Sequence, residues 1–104
     1  MENINDDQFN KYQVSIQFEM DDEFMGLVPE HRLYIDDLID RGIIEYYAVS
    51  METQRCWMII NAVSKKDVED YLLETPLYKY WTIETDLLFV YDSQTLRLPA
   101  LQLN

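Results

Sequence analysis

His31 is the only histidine in this chain of 104 residues, and Cys56 is its only cysteine. An imidazole changes charge near neutral pH, so it is the side chain best suited to take up and return a proton. The stretch around it, FMGLVPEHRLYIDDLIDRG from Phe24 to Gly42, has a helical period. At 100° per residue Phe24, Leu27, Val28, His31, Tyr34, Ile35, Leu38 and Ile39 share one arc, with Asp36, Asp37, Asp40 and Arg41 largely opposite. His31 therefore faces a core, where an unpartnered ring nitrogen loses on the order of 1–3 kcal/mol. Glu19, Glu45 and Glu84 are acids that can orient it, and Tyr46 and Tyr47 offer hydroxyls, with Glu19, Tyr46 and Tyr47 the expected partners. A histidine bonded to a carbonyl or a tyrosine inside the core, with no chemical role, is the alternative.

Other residue types narrow the chemistry. Tyr46, Tyr47, Trp57, Tyr80 and Trp81 can line a pocket for a flat ligand or simply fill a core. Arg32 and Arg55 are the cations available to a ligand carboxylate. Glu84 and Asp86 alternate with Ile83 and Thr85, so they share a strand face that is either functional, solvated or an interface. With His31 they make a thin donor set, and no metal site is read from them. Cys56 lies in the apolar run CWMII, as a small buried thiol does. One cysteine excludes an intrachain disulfide and a multi-thiolate zinc site. Gly26 and Gly42 are the only glycines, so neither common phosphate-cradling loop is present and no cofactor is read.

Composition bounds the partners. Twenty acidic against eight basic residues give a formal net charge of −12, which repels nucleic acid and anionic lipid. The apolar runs are too short to span a bilayer. MENINDDQFNK has neither a basic nor an apolar region of a secretory signal, and the expected location is the cytoplasm.

The elements that must position these residues follow in order. Residues 1–10 are polar and expected to be flexible. Lys11 to Met20 alternates, with Tyr12, Val14, Ile16, Phe18 and Met20 on one face, and predicts a strand. The first helix starts near Asp22 under an aspartate cap and bends at Pro29, or starts only near Val28; Phe24 and Leu27 favour the earlier start. Gly42 suits its left-handed end. Ile43–Ser50 and Arg55–Val63 read as strands joined by a hairpin, the second apolar on both faces and therefore central. Ser64 and Asp67 form a capping-box-like start to a second helix that Pro76 stops. Pro76 to Trp81 is an aromatic link, and Thr82–Asp92 is a fourth strand. The order is that of a ferredoxin-like βαββαβ domain over residues 11–92, with two helices on one face of a four-stranded antiparallel sheet. Trp57, Ile59, Tyr46 or Tyr47, Leu88 and Val90 cannot all lie beneath two helices, so the other face requires a partner, most simply a second subunit. Leu96, Leu98, Leu101 and Leu103 make residues 93–104 an arm expected at a subunit interface.

PLYKYWTIETDLL, Pro76 to Leu88, resembles the closing segment of muconolactone isomerases at Pro76, Leu77, Tyr80, Ile83, Glu84, Asp86 and Leu88. Gly42 after the first helix also agrees, and the order of elements matches over roughly Tyr12 to Tyr91. PEHRLYIDDLIDRG is similar as well to the histidine-bearing helix of YCII-like proteins. The muconolactone isomerase helix has a carboxylate in place of His31 and a lysine in place of Arg32. The resemblance implies a dimeric α/β barrel that assembles further into rings of dimers, with a ligand pocket between the first helix and the sheet. It implies an isomerase that moves a proton on a lactone or related carbonyl compound. Such chemistry needs a base beside an acidified C–H and a donor for the developing enolate. His31 with Glu19 or Glu84 is the expected catalytic set, and Arg32, Tyr46, Tyr47, Trp57 and Tyr80 are the expected substrate contacts. A non-catalytic oligomeric barrel that binds a small ligand, or that is purely structural, is the alternative.

Overall fold

The computed structural model describes residues 9–93. The expectations for residues 1–8 and for the leucine-bearing arm over 94–104 lie outside the described residues. The first strand, β1 (Asn10–Phe18), buries Tyr12, Val14, Ile16 and Phe18 and turns Gln13 and Gln17 to solvent, as its alternation predicts.

Helix α1 (Asp22–Asp40) takes the earlier of its two possible starts. Asp21 is extended, and its carboxylate accepts the Phe24 N–H at 2.8 Å. The helix runs through Pro29, which has no N–H to give the preceding turn. Its buried stripe, Phe24, His31, Ile35 and Leu38, spans both sides of the proline, and burial of the two halves on one sheet offsets that lost bond. At its end the Gly42 N–H donates to the Ile39 carbonyl at 3.0 Å and the Ile43 N–H to the Leu38 carbonyl at 2.9 Å, a Schellman motif. That motif needs a left-handed residue, and Gly42 has φ +78.

Strands β2 (Ile44–Ser50) and β3 (Arg55–Ala62) form the hairpin. The turn between them lacks glycine, and Gln54 takes the left-handed position instead, at φ 55. Helix α2 (Lys65–Leu73) starts where Ser64 Oγ accepts the Asp67 N–H at 3.2 Å, and it buries Val68 and Leu72. A short 3-10 turn, Tyr78–Tyr80, leads into β4 (Trp81–Leu87).

All strand pairs are antiparallel and the sheet order is β2-β3-β1-β4, the ferredoxin-like arrangement. The helices cover one face, with Ile35, Leu38, Met58, Ile60, Val14 and Leu72 at its centre. Strand β4 is shorter than its sequence pattern predicts. Strand β1 starts at Asn10, and after the Leu88 N–H donates to the Lys11 carbonyl at 2.9 Å it has almost no backbone left to offer. Leu88 and Val90 therefore lie beyond the strand, Phe89 is 83% exposed, and the Lys11 ammonium stands 5.3 Å from the centre of the Tyr91 ring.

The outer face is apolar on one half only. Tyr46 and Ala48 of β2 lie beside Ile59 and Trp57 of β3, whereas β1 and β4 contribute Gln13, Ser15, Gln17, Glu84 and Asp86. Among the described residues no helix is long and apolar enough to cross a membrane.

Candidate functional site

A bulge in β2 determines which tyrosine reaches His31. Ile44 pairs with Ile60 and Tyr46 with Ile59, so Glu45 is an extra residue that reverses the alternation. Ile44 faces the helices. Strict alternation from Ile44 would send Tyr46 inward as well; the bulge sends Tyr46 outward, 52% exposed, and brings Tyr47 beneath α1. Glu45 pairs with the Lys11 ammonium, which also donates to the Asn61 side chain at 2.8 Å.

His31, 3% exposed, bridges two elements. Its Nδ1 lies 2.5 Å from Thr75 Oγ1 and its Nε2 lies 3.0 Å from the Tyr47 hydroxyl. Trp81 meets the imidazole edge to face, with ring centres 5.5 Å apart. Thr75 Oγ1 also accepts the Leu77 N–H at 3.2 Å. A threonine hydroxyl has one proton, and among these contacts only Nδ1 can take it. With Thr75 donating to Nδ1, the imidazole carries its proton on Nε2 and Nε2–H donates to the Tyr47 oxygen; with the proton on Nδ1 the same contacts run the other way, Nδ1–H to Thr75 and the Tyr47 hydroxyl to Nε2. In the first of these arrangements the Tyr47 proton is left to point at the Cys56 sulfur or at whatever occupies the adjoining space.

Burial keeps every member of this chain neutral. It lowers His31 to about 4, with the Arg32 charge adding to the effect. It raises Tyr47 well above the usual phenol range and Cys56 to about 12, so neither phenolate nor thiolate forms near neutral pH.

Beside this chain is a cavity of about 180 Å³ between α1 and the hairpin end of the sheet. Phe18, Phe24, Leu77 and Trp81 form its apolar walls, and Val28, Val49 and Cys56 leave the space because they are small. Met25 and Met51 flank the opening, 50% and 54% exposed. Arg32 stands there too, with its guanidinium 5.5 Å from the centre of the Tyr47 ring and 2.6 Å from Asp36.

The structure brings His31, Arg32 and Tyr47 together and spreads the other expected residues elsewhere. Glu84 is on the outer face of β4, with the whole sheet between it and His31. Glu19 follows β1 in a polar groove with Gln17 and Lys79. Tyr46 and Trp57 face outward. The Tyr80 hydroxyl donates to Glu23 at 2.6 Å, a bond that raises its pKa to about 12, and its ring supports Phe24 from behind. Arg55 pairs with Ser50 at the hairpin end of the outer face. Among the described residues no carboxylate lines the cavity. Among the described residues no group of three His, Cys, Asp or Glu side chains is placed to hold a metal ion.

Thr75 is the partner that sequence reasoning missed. Its one signal is its place directly before Pro76, where an extended link returns from α2 toward the sheet. Comparison with family models and with curated proteins finds no match for this chain.

The neutral imidazole predicts a pH dependence. An unfolded histidine titrates near 6.5, so below that pH the unfolded chain holds a proton that the folded one refuses until about 4. His31 thus contributes no penalty above its unfolded pKa, and stability falls as the pH drops from there toward about 4, by up to about 1.4 kcal/mol per pH unit. In urea unfolding between about pH 7 and pH 5, His31→Gln should show a flatter stability profile than the wild type. Equal slopes in the two proteins would count against a neutral buried His31.

Proposed function

We propose that the protein binds a small, largely apolar molecule in the cavity between α1 and the sheet. The observation that carries this reading is an apolar space of about 180 Å³ with the Tyr47 hydroxyl, held by His31, at its edge. Ligand sites combine apolar walls with few, well-placed polar groups in this way. A dry cavity of about 150 Å³ is known to accept a benzene ring, so the volume suits a single six-membered ring. Met25 and Met51, both exposed at the cavity, have flexible side chains that can adapt to the shape of a ligand.

A second reading is catalysis at the same place, an isomerase that moves a proton on a lactone or related carbonyl compound. The Tyr47 hydroxyl, backed by His31, favours it because such a donor stabilises a developing enolate. Among the described residues no carboxylate lines the cavity, so the base in this reading is His31, with its proton on Nδ1 and donated to Thr75, and the Tyr47 hydroxyl turns from Nε2 to the substrate oxygen. Glu19 and Glu84 have no part in it.

We further infer that the chain forms a homodimer through the apolar half of its outer face. Tyr46, Ala48 and Trp57 lie together there, and an apolar strip on a sheet is a common mark of a protein partner.

Three measurements test these readings. Val49 lines the cavity yet is 44% exposed, so Val49→Trp can fill the space without disturbing the core. A metabolite screen by thermal shift should find ligands that stabilise the wild type, by about 2.7 kcal/mol at a hundredfold excess over Kd, and lose that effect in Val49→Trp. A response retained in the variant would move the site elsewhere. For catalysis, wild-type protein should exchange deuterium into a β,γ-unsaturated five-membered lactone. Tyr47→Phe should slow that exchange by about 10²–10³ and His31→Gln should abolish it; no exchange by the wild type defeats the isomerase reading. Light scattering at micromolar concentration should give twice the chain mass, falling to one chain in Trp57→Lys. A monomeric wild type excludes the dimer.

A further inference from the structure

We propose that the cavity selects a neutral monocyclic molecule with a single acceptor oxygen, such as an aryl or cyclic ketone, over the carboxylate of the same shape. This rests on the reading of the cavity as a ligand site and specifies what it takes. With the imidazole proton on Nε2, the state this proposal assigns, the His31 contacts form one neutral sequence of donors: Leu77 N–H to Thr75, Thr75 to His31 and His31 to Tyr47. One proton remains at its end, on the Tyr47 hydroxyl. Its partner within the protein is the Cys56 sulfur, a weak acceptor, so a ligand oxygen in the cavity makes a better bond than the one it displaces. A neutral carbonyl needs one donor and finds one.

A carboxylate needs more than the site supplies. Among the described residues Arg32 is the only cation lining the cavity, and it is already 2.6 Å from Asp36. Its side chain is about half exposed, 49%, so water and salt screen whatever charge remains. The chain as a whole carries a net charge of −12, which lowers the local concentration of anions. The walls offer a ring rather than a charge what it requires. Phe24 and Trp81 present aromatic surface, and the Met25 and Met51 sulfurs stand at the opening. A second polar group on the ring would meet these walls without a partner, and that restricts the ligand to one oxygen.

Acetophenone, benzoate and ethylbenzene share a ring and nearly one shape, and they differ in charge and acceptor. Their binding to the full chain is measured at neutral pH by chemical-shift titration, with the amides of Tyr47 and Val49 as reporters. Acetophenone should bind with saturation, and benzoate and ethylbenzene at least tenfold more weakly. In Tyr47→Phe, whose fold is checked by its melting temperature, acetophenone should lose its advantage over ethylbenzene. Benzoate binding as tightly as acetophenone, or more tightly, overturns the selection of neutral ligands while leaving the cavity a ligand site. An acetophenone advantage that persists in Tyr47→Phe overturns the assigned donor. No saturable binding of any of the three removes the cavity as a site, and this proposal with it.

Discussion

An imidazole buried under a helix must have both nitrogens partnered, and that requirement ties three distant parts of this chain together. His31 comes from the middle of α1, Thr75 from the link after α2 and Tyr47 from an edge strand. A slip of α1 by one residue would rotate the ring by about 100° and break both bonds. The contacts therefore do more than satisfy a polar group. They set the register of α1 on the sheet and hold the Thr75–Leu77 link against it, and the link in turn determines where Trp81 enters β4. Among the described residues no buried side-chain nitrogen or oxygen is left without a partner.

The bulge at Glu45 is the second part of the same constraint. A β-strand offers alternate residues to each face, so one inserted residue exchanges the faces of everything after it. Tyr47 and Val49 gain the inner face, and Tyr46 and Ala48 the outer one. The inner pair then borders the cavity while the outer pair joins the half-buried Trp57 in the apolar strip, in which Tyr46 is the exposed member. Lys11 and Asn61 hold the Glu45 carboxylate on the outer side, where an extra residue has no backbone partner in the ladder. One local irregularity thus separates what would otherwise be a single tyrosine pair into a buried group and a surface group.

Much of the fold was legible because its signals are local. The alternation of Tyr12 to Phe18, the period from Phe24 to Leu38, the Gly42 end and the Ser64 cap all act within a few residues, and each appears as read. The length of β4 was not legible, since a strand ends where its neighbour runs out and not where its own pattern stops. The site was legible in part. The wheel puts His31 on the buried face, but a wheel says nothing of what lies opposite. Tyr47 could not be told from Tyr46, because a bulge changes parity without leaving a composition signal. Thr75 could not be found at all, because its contact with His31 crosses 44 positions of sequence. Glu84 has the right chemistry on the wrong side of the sheet, a distinction that depends on strand parity and on which face the helices cover.

Stability alone does not account for a polar trio in this core. Replacing both partners of a buried hydrogen bond by apolar groups of the same shape is nearly neutral or stabilising. A leucine at 31, a valine at 75 and a phenylalanine at 47 would form an ordinary packed layer, continuous with Ile35, Leu38 and Met58. The chain instead keeps three hydroxyl or imidazole groups and leaves a void beside them. Voids forfeit contacts that close packing would supply, and here Val28, Val49 and Cys56 are the small side chains that leave it. Either feature by itself is common in cores. Their adjacency, an apolar space with the Tyr47 hydroxyl at its wall, is the arrangement on which the proposed ligand site rests.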